Sequence, residues 1–154
     1  MADYARINAL TLAAGEDRPR SPVIDTDNDF AYFGTSTVPG KVVKVRLSDF
    51  TEVGSITCAT GEDYLTSAVI DTVNGFAYFG CFTSPGKVVK VRLSDFTEVA
   101  TLTFATDEDS LYGAVIDTAN GYAYFGCYVI PGWVVLLQTW TSSLLDYSLL
   151  LGIR

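Results

Sequence analysis

An all-β chain of tandem four-stranded antiparallel repeats is what the sequence predicts, on three observations. The first is composition. Apolar residues make up 49% of the 154 and charged residues 18%, with nine Tyr and nine Phe, a balance that supports a folded core and favours strands. The second is self-similarity. Val-Ile-Asp recurs at Val23, Val69 and Val115, a period of 46, and residues 23–68 match residues 69–114 at 33 of 46 positions without a gap. The third is that each copy alternates short apolar runs with turn signals and shows no sustained helical periodicity.

The second copy sets out the elements. Its first strand is Ser67 to Asp71 (SAVID), closed by Thr72-Val73-Asn74-Gly75. Asn-Gly is a strong hairpin signal because both residues accept positive φ. Strand two is Phe76 to Phe82 (FAYFGCF), with Phe76, Tyr78 and Gly80 on one face and Ala77, Phe79 and Cys81 on the other. A turn at Ser84-Pro85-Gly86 follows, Pro presetting φ and Gly taking a left-handed position. Strand three, Lys87 to Leu93 (KVVKVRL), sets Val89, Val91 and Leu93 against Lys90 and Arg92. Strand four, Glu98 to Phe104 (EVATLTF), mixes apolar residues with threonines and leads into an acidic segment, Thr106 to Asp109. Strands are expected to begin near Val23, Val69 and Val115, with tight turns at Asn74-Gly75 and Asn120-Gly121. The first copy carries Asn28-Asp29 at that turn, a poorer left-handed former than Gly.

Both faces of each sheet are partly apolar, strands one and two hold the small residues, and the later strands carry Lys and Arg. That pattern suits stacked blades, whose inner strands are sandwiched and whose outermost strand is wetter. The expected fold is therefore a partial β-propeller of about three and a third blades. Upstream, Ala9 to Asp17 (ALTLAAGED) aligns with Ser55 to Asp63 (SITCATGED) and Thr101 to Asp109 (TLTFATDED), so residues 5–22 read as the last strand of a preceding repeat. Copies 23–68, 69–114 and 115–135 complete a repeat domain over 1–135, and a divergent hydrophobic tail fills 136–154. Closed propellers typically have about four to eight blades, so the chain reads as a fragment of a longer propeller or as one that a second chain completes. The alternative architecture is a β-trefoil, three copies of a four-stranded unit on a chain of this size. The Asn-Gly meander favours blades.

The small-to-aspartate strand, the Asn-Gly turn, the aromatic strand and the valine-rich strand together resemble the YVTN/NHL-type family of β-propeller repeats. Ala77-Tyr78-Phe79-Gly80 stands where that family has its name-giving tetrapeptide, with Ala31-Tyr32-Phe33-Gly34 and Ala123-Tyr124-Phe125-Gly126 beside it. The resemblance covers residues 5–135 and implies a binding or surface protein, with enzymes in the minority. In the tail, Asp146 to Ile153 (DYSLLLGI) resembles a short stretch of phosphatidylinositol phosphate kinases. With no nucleotide-binding machinery around it, that stretch confers no kinase activity.

The bulk properties exclude several function classes. A net charge of −8, with ten basic residues spread along the chain, argues against a nucleic-acid surface. The absence of His removes imidazole bases, His-dependent triads and His metal ligands. Cys58, Cys81 and Cys127 lie far apart with no CxxC pair, and they read as buried hydrophobes, not as a zinc site or disulfide framework. No catalytic residue, cofactor or metal ligand is assigned. The opening residues MADYARINALTL lack a basic region followed by an apolar run, so no secretory signal is read. Residues 134–153 approach membrane-spanning length with Asp146 as the single charge, but Gln138 and the Thr139 to Ser143 cluster weaken a tail anchor.

Four repeated features were candidates for sites. Asp25, Asp71 and Asp117 precede the hairpin turn in each copy. They lack the companions of a calcium loop and fit side-chain caps on the turn. The pairs Glu16-Asp17, Glu62-Asp63 and Glu108-Asp109 recur on the loops joining repeats. On blades around one axis they would gather on one face, a ring suited to a basic partner. Identical placement in every copy argues against their use as a hydrolase's acid and base, which needs one asymmetric site. The aromatics Tyr32, Tyr78, Tyr124, Phe33, Phe79 and Phe125 read as inter-blade core, and Lys41/Lys44 and Lys87/Lys90 as solvent-facing gatekeepers. The function these features predict is a non-enzymatic scaffold for a protein or small ligand, homo-oligomeric or completed by further repeats. The alternatives are part of a propeller-type hydrolase or lyase with its catalytic residues outside this chain, or a structural repeat protein of a surface or filament.

Overall fold

The computed structural model describes residues 5–139. They form β1 (Pro19–Asp25), β2 (Phe30–Thr35), β3 (Lys41–Arg46), β4 (Thr51–Thr57), β5 (Leu65–Asp71), β6 (Phe76–Cys81), β7 (Lys87–Arg92), β8 (Thr97–Thr103), β9 (Leu111–Asp117), β10 (Tyr122–Cys127) and β11 (Trp133–Gln138). Each repeat makes its own antiparallel meander: β1-β2-β3-β4, β5-β6-β7-β8, and a three-stranded β9-β10-β11. Ladder hydrogen bonds run within a repeat, so the three sheets are blades stacked face to face and not the shared barrel of a trefoil.

Burial follows strand order. In blade two, every residue of β6 after Phe76 is buried, whereas β8 is half-buried or exposed throughout. Aromatic and β-branched residues fill the sandwiched strands because both of their faces meet another sheet. Ala77, Phe79 and Cys81 point toward blade one and join a core with Tyr32, Val42 and Leu65. Tyr78 points the other way and joins Val69, Val88, Leu111 and Phe125 in the core shared with blade three. The two faces read from the alternation of FAYFGC thus serve two different interfaces.

The first strand of each blade starts at Pro19, Leu65 or Leu111, four residues before the expected Val23, Val69 and Val115. A bulge explains the difference. The register shifts between Arg20 and Pro22 in β1 and between Leu65 and Ser67 in β5, and an extra residue breaks the period-two pattern that marks a strand.

The hairpin turn after it spans four residues. Asp71 and Phe76 close the ladder across Thr72 to Gly75. Gly75 and Gly121 sit at φ of 75° and 73°, and in blade one Asp29 takes the same conformation at 67°. Asn74 is not left-handed as the Asn-Gly signal implied; its amide and side-chain NH₂ instead donate to the two Asp71 carboxylate oxygens at 3.0 and 2.7 Å. The second turn also differs from expectation. Gly86 is not among the positive-φ residues, and Gly is required there by space. A Cβ at Gly86 would come within 2.5 Å of the Glu108 carbonyl oxygen.

Glycine likewise lets the blades approach. A Cβ on Gly34 would meet Leu65 and Phe79 of blade two, and one on Gly80 would meet Leu111 and Phe125 of blade three. A backbone bond ties each of Gly40 and Gly86 to the loop leading into the next blade, and a second bond at the same glycine extends the β3-β4 or β7-β8 ladder by one pair. The Gly40 amide donates to the Glu62 carbonyl at 2.8 Å and the Cys58 amide to the Gly40 carbonyl at 2.9 Å. The Gly86 amide donates to the Glu108 carbonyl at 2.9 Å and the Phe104 amide to the Gly86 carbonyl at 2.8 Å.

Among the described residues no further sheet packs on either end of the array. Residues 5–12, expected within the last strand of a preceding repeat, carry no strand. Among the described residues no strand lies beside them to pair with. At the other end β11 continues to Gln138, past Val135 where the sequence leaves the repeat, because Leu136 and Leu137 still pair with Tyr124 and Ala123. Among the described residues no helix is long and apolar enough to cross a membrane. Within the 134–153 span, Val134 to Gln138 belong to β11; the remainder from residue 140, with the kinase-like stretch Asp146 to Ile153, lies outside the described residues.

Candidate interaction surface

The acidic loops divide by residue type. Each glutamate folds back on its own loop: the Glu62 carboxylate accepts the Ala59 amide at 2.8 Å, Glu108 that of Ala105 at 2.9 Å, and Glu16 that of Ala13 at 3.3 Å. Glu16 and Glu62 are 5% exposed, so these side chains hold the loop and are withdrawn from solvent. Asp17 is exposed, and Asp63 and Asp109 are half-buried. Asp17 lines a cleft of about 560 Å³ with Arg18, Ser36, Thr37, Val38 and Tyr64. Asp63 lines the equivalent cleft one blade on, about 430 Å³, with Tyr64, Phe82, Ser84 and Lys87.

Both clefts open where the strand two–three loops meet the loops between blades. Asp109 occupies the matching place at blade three and accepts the Ser84 hydroxyl at 2.9 Å. One oxygen each of Asp63 and Asp109 is buried without a hydrogen-bond partner among the described residues, leaving acceptor capacity at this rim. Beside them, Phe82, Tyr112 and Tyr128 cluster with ring centroids 5.7–6.2 Å apart. Tyr112 and Tyr128 are 53% and 72% exposed. Phe82 and Tyr128 stand one period apart, but the first copy has Ser36 there and Tyr112 matches Thr66, so the repeat pattern did not show the cluster.

The remaining candidates are structural. Both carboxylate oxygens of Asp25, Asp71 and Asp117 accept from Asn28, Asn74 and Asn120, which is the turn cap. Asp117 is held below the ordinary carboxylate range chiefly by the Asn120 side chain. Tyr32, Tyr78, Phe79 and Phe125 are buried between blades, as expected. Lys44 and Lys90 are not gatekeepers. They sit on β3 and β7, interior strands, half-buried with Nζ 3.8 Å above the rings of Phe30 and Phe76, and burial lowers both their pKa values. Alternation along the strand gave their face but not the aromatic ring across it.

Cys58 meets Glu62 and Glu98 with their donor atoms within 4.8 Å of one another, a grouping the sequence spacing hides. Hydrogen bonds account for it: Glu62 accepts from Ala59 and from the Thr101 hydroxyl. Burial and then the neighbouring Glu62 carboxylate raise the pKa of Glu98. Burial pushes the Cys58 thiol up strongly and that of Cys81 up to about 12. Such thiols are inert at neutral pH.

No protein-family profile matches the sequence, and no curated protein matches it. Solved structures do. The chain superposes on the RRP9 WD40 repeats with TM-score 0.59 at 10% identity, covering 71% of this chain and 32% of that one. It superposes on the β-propeller domain of Cps50 (Swd1) from Myceliophthora thermophila with TM-score 0.56 at 17% identity, covering 91% and 44%. A proposed 6-phosphogluconolactonase of Bacteroides fragilis gives TM-score 0.62 at 16% identity, covering 77% and 34%. The chain thus spans less than half the length of each of these proteins. Its blades, their meander order and these superpositions make the fold that of part of a β-propeller.

Proposed function

We propose that the chain is a non-catalytic interaction scaffold of YVTN/NHL repeat type whose acidic, aromatic rim receives a basic partner. The observation that carries this reading is the recurrence of one cleft at both blade junctions, with Asp17 or Asp63 and the shared Tyr64 in its lining. A repeated open cleft suits a partner that runs along several blades, and surface carboxylates beside exposed tyrosines recognise Lys or Arg by charge and by stacking. The subtype rests on the Ala-Tyr-Phe-Gly tetrapeptides at residues 31, 77 and 123. WD40 proteins among the structural neighbours support a scaffold, as does the lack of His throughout the sequence.

The Bacteroides fragilis neighbour supports a second reading, a share in a hydrolase whose catalytic residues lie in other blades. A panel of Lys/Arg-rich peptides tests the first. Binding that weakens with salt is expected, and Asp17→Asn, Asp63→Asn and Asp109→Asn together should weaken it by roughly tenfold, at about 0.2–1 kcal/mol for each exposed charge. Peptide binding indifferent to salt and to the three substitutions would refute the reading.

A further inference from the structure

The two ends of the blade array are complementary, and their complementarity reaches single residues. Blade three keeps the receiving features of blades one and two, and among the described residues nothing fills them. A Cβ at Gly132, which matches Gly40 and Gly86, would touch nothing, and one at Gly126, which matches Gly34 and Gly80, would reach only the Gly113 carbonyl at 3.8 Å. Gly132 makes no backbone hydrogen bond among the described residues. Val115 is 66% exposed where its counterpart Val69 is 5% exposed, and β11 forms an edge with Val134 72% exposed.

The N-terminal segment carries the features that fill such a site. Residues 5–11 (ARINALT) stand one repeat before β4 and β8, Leu12 matches Cys58 and Phe104, and Glu16 matches Glu62 and Glu108. The loop that would deliver them is already formed. Its Glu16 amide donates to the Ala13 carbonyl at 3.2 Å, as Glu62 does to Ala59 and Glu108 to Ala105 at 3.1 and 3.2 Å.

Charge decides what covers the edge. At both inner positions the loop glutamate meets a glutamate of the fourth strand: Glu62 lies beside Glu98, and the Ala13 amide is shared by Glu16 and Glu52 at 3.3 and 3.1 Å. In residues 5–11 the position of Glu52 and Glu98 is Arg6. Set as the fourth strand of blade three, that segment would bring Arg6 to Glu108, an opposite-charge pair where the chain's own junctions hold like charges.

We propose that a second copy of this chain closes the array. Residues 5–11 of each copy pair with β11 of the other, Leu12 and Glu16 meet Gly132, and blade one of each copy covers blade three of its partner. Two copies of three blades make a six-bladed ring with two-fold symmetry, inside the usual range of about four to eight. The proposal deepens the scaffold reading by naming the chain that completes it. At this junction Pro19 replaces Leu65 and Leu111, and Gly113 lacks the hydroxyl that Ser67 donates to the Leu111 carbonyl at 3.1 Å. The intermolecular junction is thus the weaker one.

Sedimentation equilibrium of the full chain tests it. A dimer is expected, and a monomer at every concentration or an open-ended series of larger species overturns the proposal. Arg6→Glu should raise the dimer dissociation constant about tenfold or more without altering the circular dichroism of the blades, and Glu108→Gln added to it should recover part of the loss. Gly132→Leu, at a position with free space around it, should also break the dimer and leave the blades folded. Dimers unchanged by both Arg6→Glu and Gly132→Leu would overturn the proposed junction. Basic-peptide binding to the rim is measured separately, so loss of one result leaves the other standing.

Discussion

Glu98 is a carboxyl whose protonation the fold changes. Burial and the nearby Glu62 raise its pKa, so the folded chain binds the proton more tightly than the unfolded one. Its contribution to stability is full below the ordinary carboxylate range and is lost as pH rises through the raised pKa. Glu98→Gln cannot ionise and keeps the hydrogen-bonding shape. The variant should therefore be more stable than the parent at neutral pH and no more stable near about pH 4, by denaturation midpoints. Asp49, Asp95 and Asp117 shift the opposite way. Their losses in acid are common to both proteins and cancel in the difference. An equal gain at both pH values would contradict the raised pKa of Glu98.

Strand two of each blade shows how far an element can be read from its residues. The Phe-Ala-Tyr-Phe-Gly run gave the strand and its two faces, since alternation on a sandwiched strand leaves few other choices. It did not give the reason for the glycine. In sequence, a glycine needed for left-handed backbone looks the same as one needed for a close approach; only the neighbouring blade distinguishes Gly75 from Gly80 and Gly86. The same blindness made Lys44 and Lys90 look like edge guards, because the ring beneath each is fixed by pairing across strands. A paired substitution separates the two roles of glycine. Gly80→Ala would drive a Cβ to 2.9 Å from Leu111 and should cost about 1–3 kcal/mol by thermal or chemical denaturation, from overpacking. Gly126→Ala, one repeat on, has space within a single copy and, compared at concentrations where the chain is monomeric, should leave the blades nearly as stable. Equal costs at both sites would mean that blade two does not pack on blade three.

The whole molecule was legible as an array of blades because a 46-residue period repeats every strand and turn. Its candidate site was legible only in part. The acidic pairs mark the loops between blades, but half of them serve the loop itself: Glu16, Glu62 and Glu108 cap turns, and of the pairs only Asp17, Asp63 and Asp109 enter the proposed rim. A carboxylate three residues after an amide it can accept is a local signal, whereas the exposed cluster of Phe82, Tyr112 and Tyr128 exists only once two blades are stacked. Everything proposed for the rim and the ring depends on that stacking. Amide hydrogen exchange resolved to single residues tests it most directly. The amides of Gly40, Gly86, Tyr64 and Ser110 lie outside the strand ladders and are bonded at the blade junctions, to the carbonyls of Glu62, Glu108, Thr37 and Thr83. Protection at all four comparable to that of β6 and β7 is the predicted result; fast exchange there, with the strands still protected, would show repeats that fold without packing into a propeller and would contradict the account.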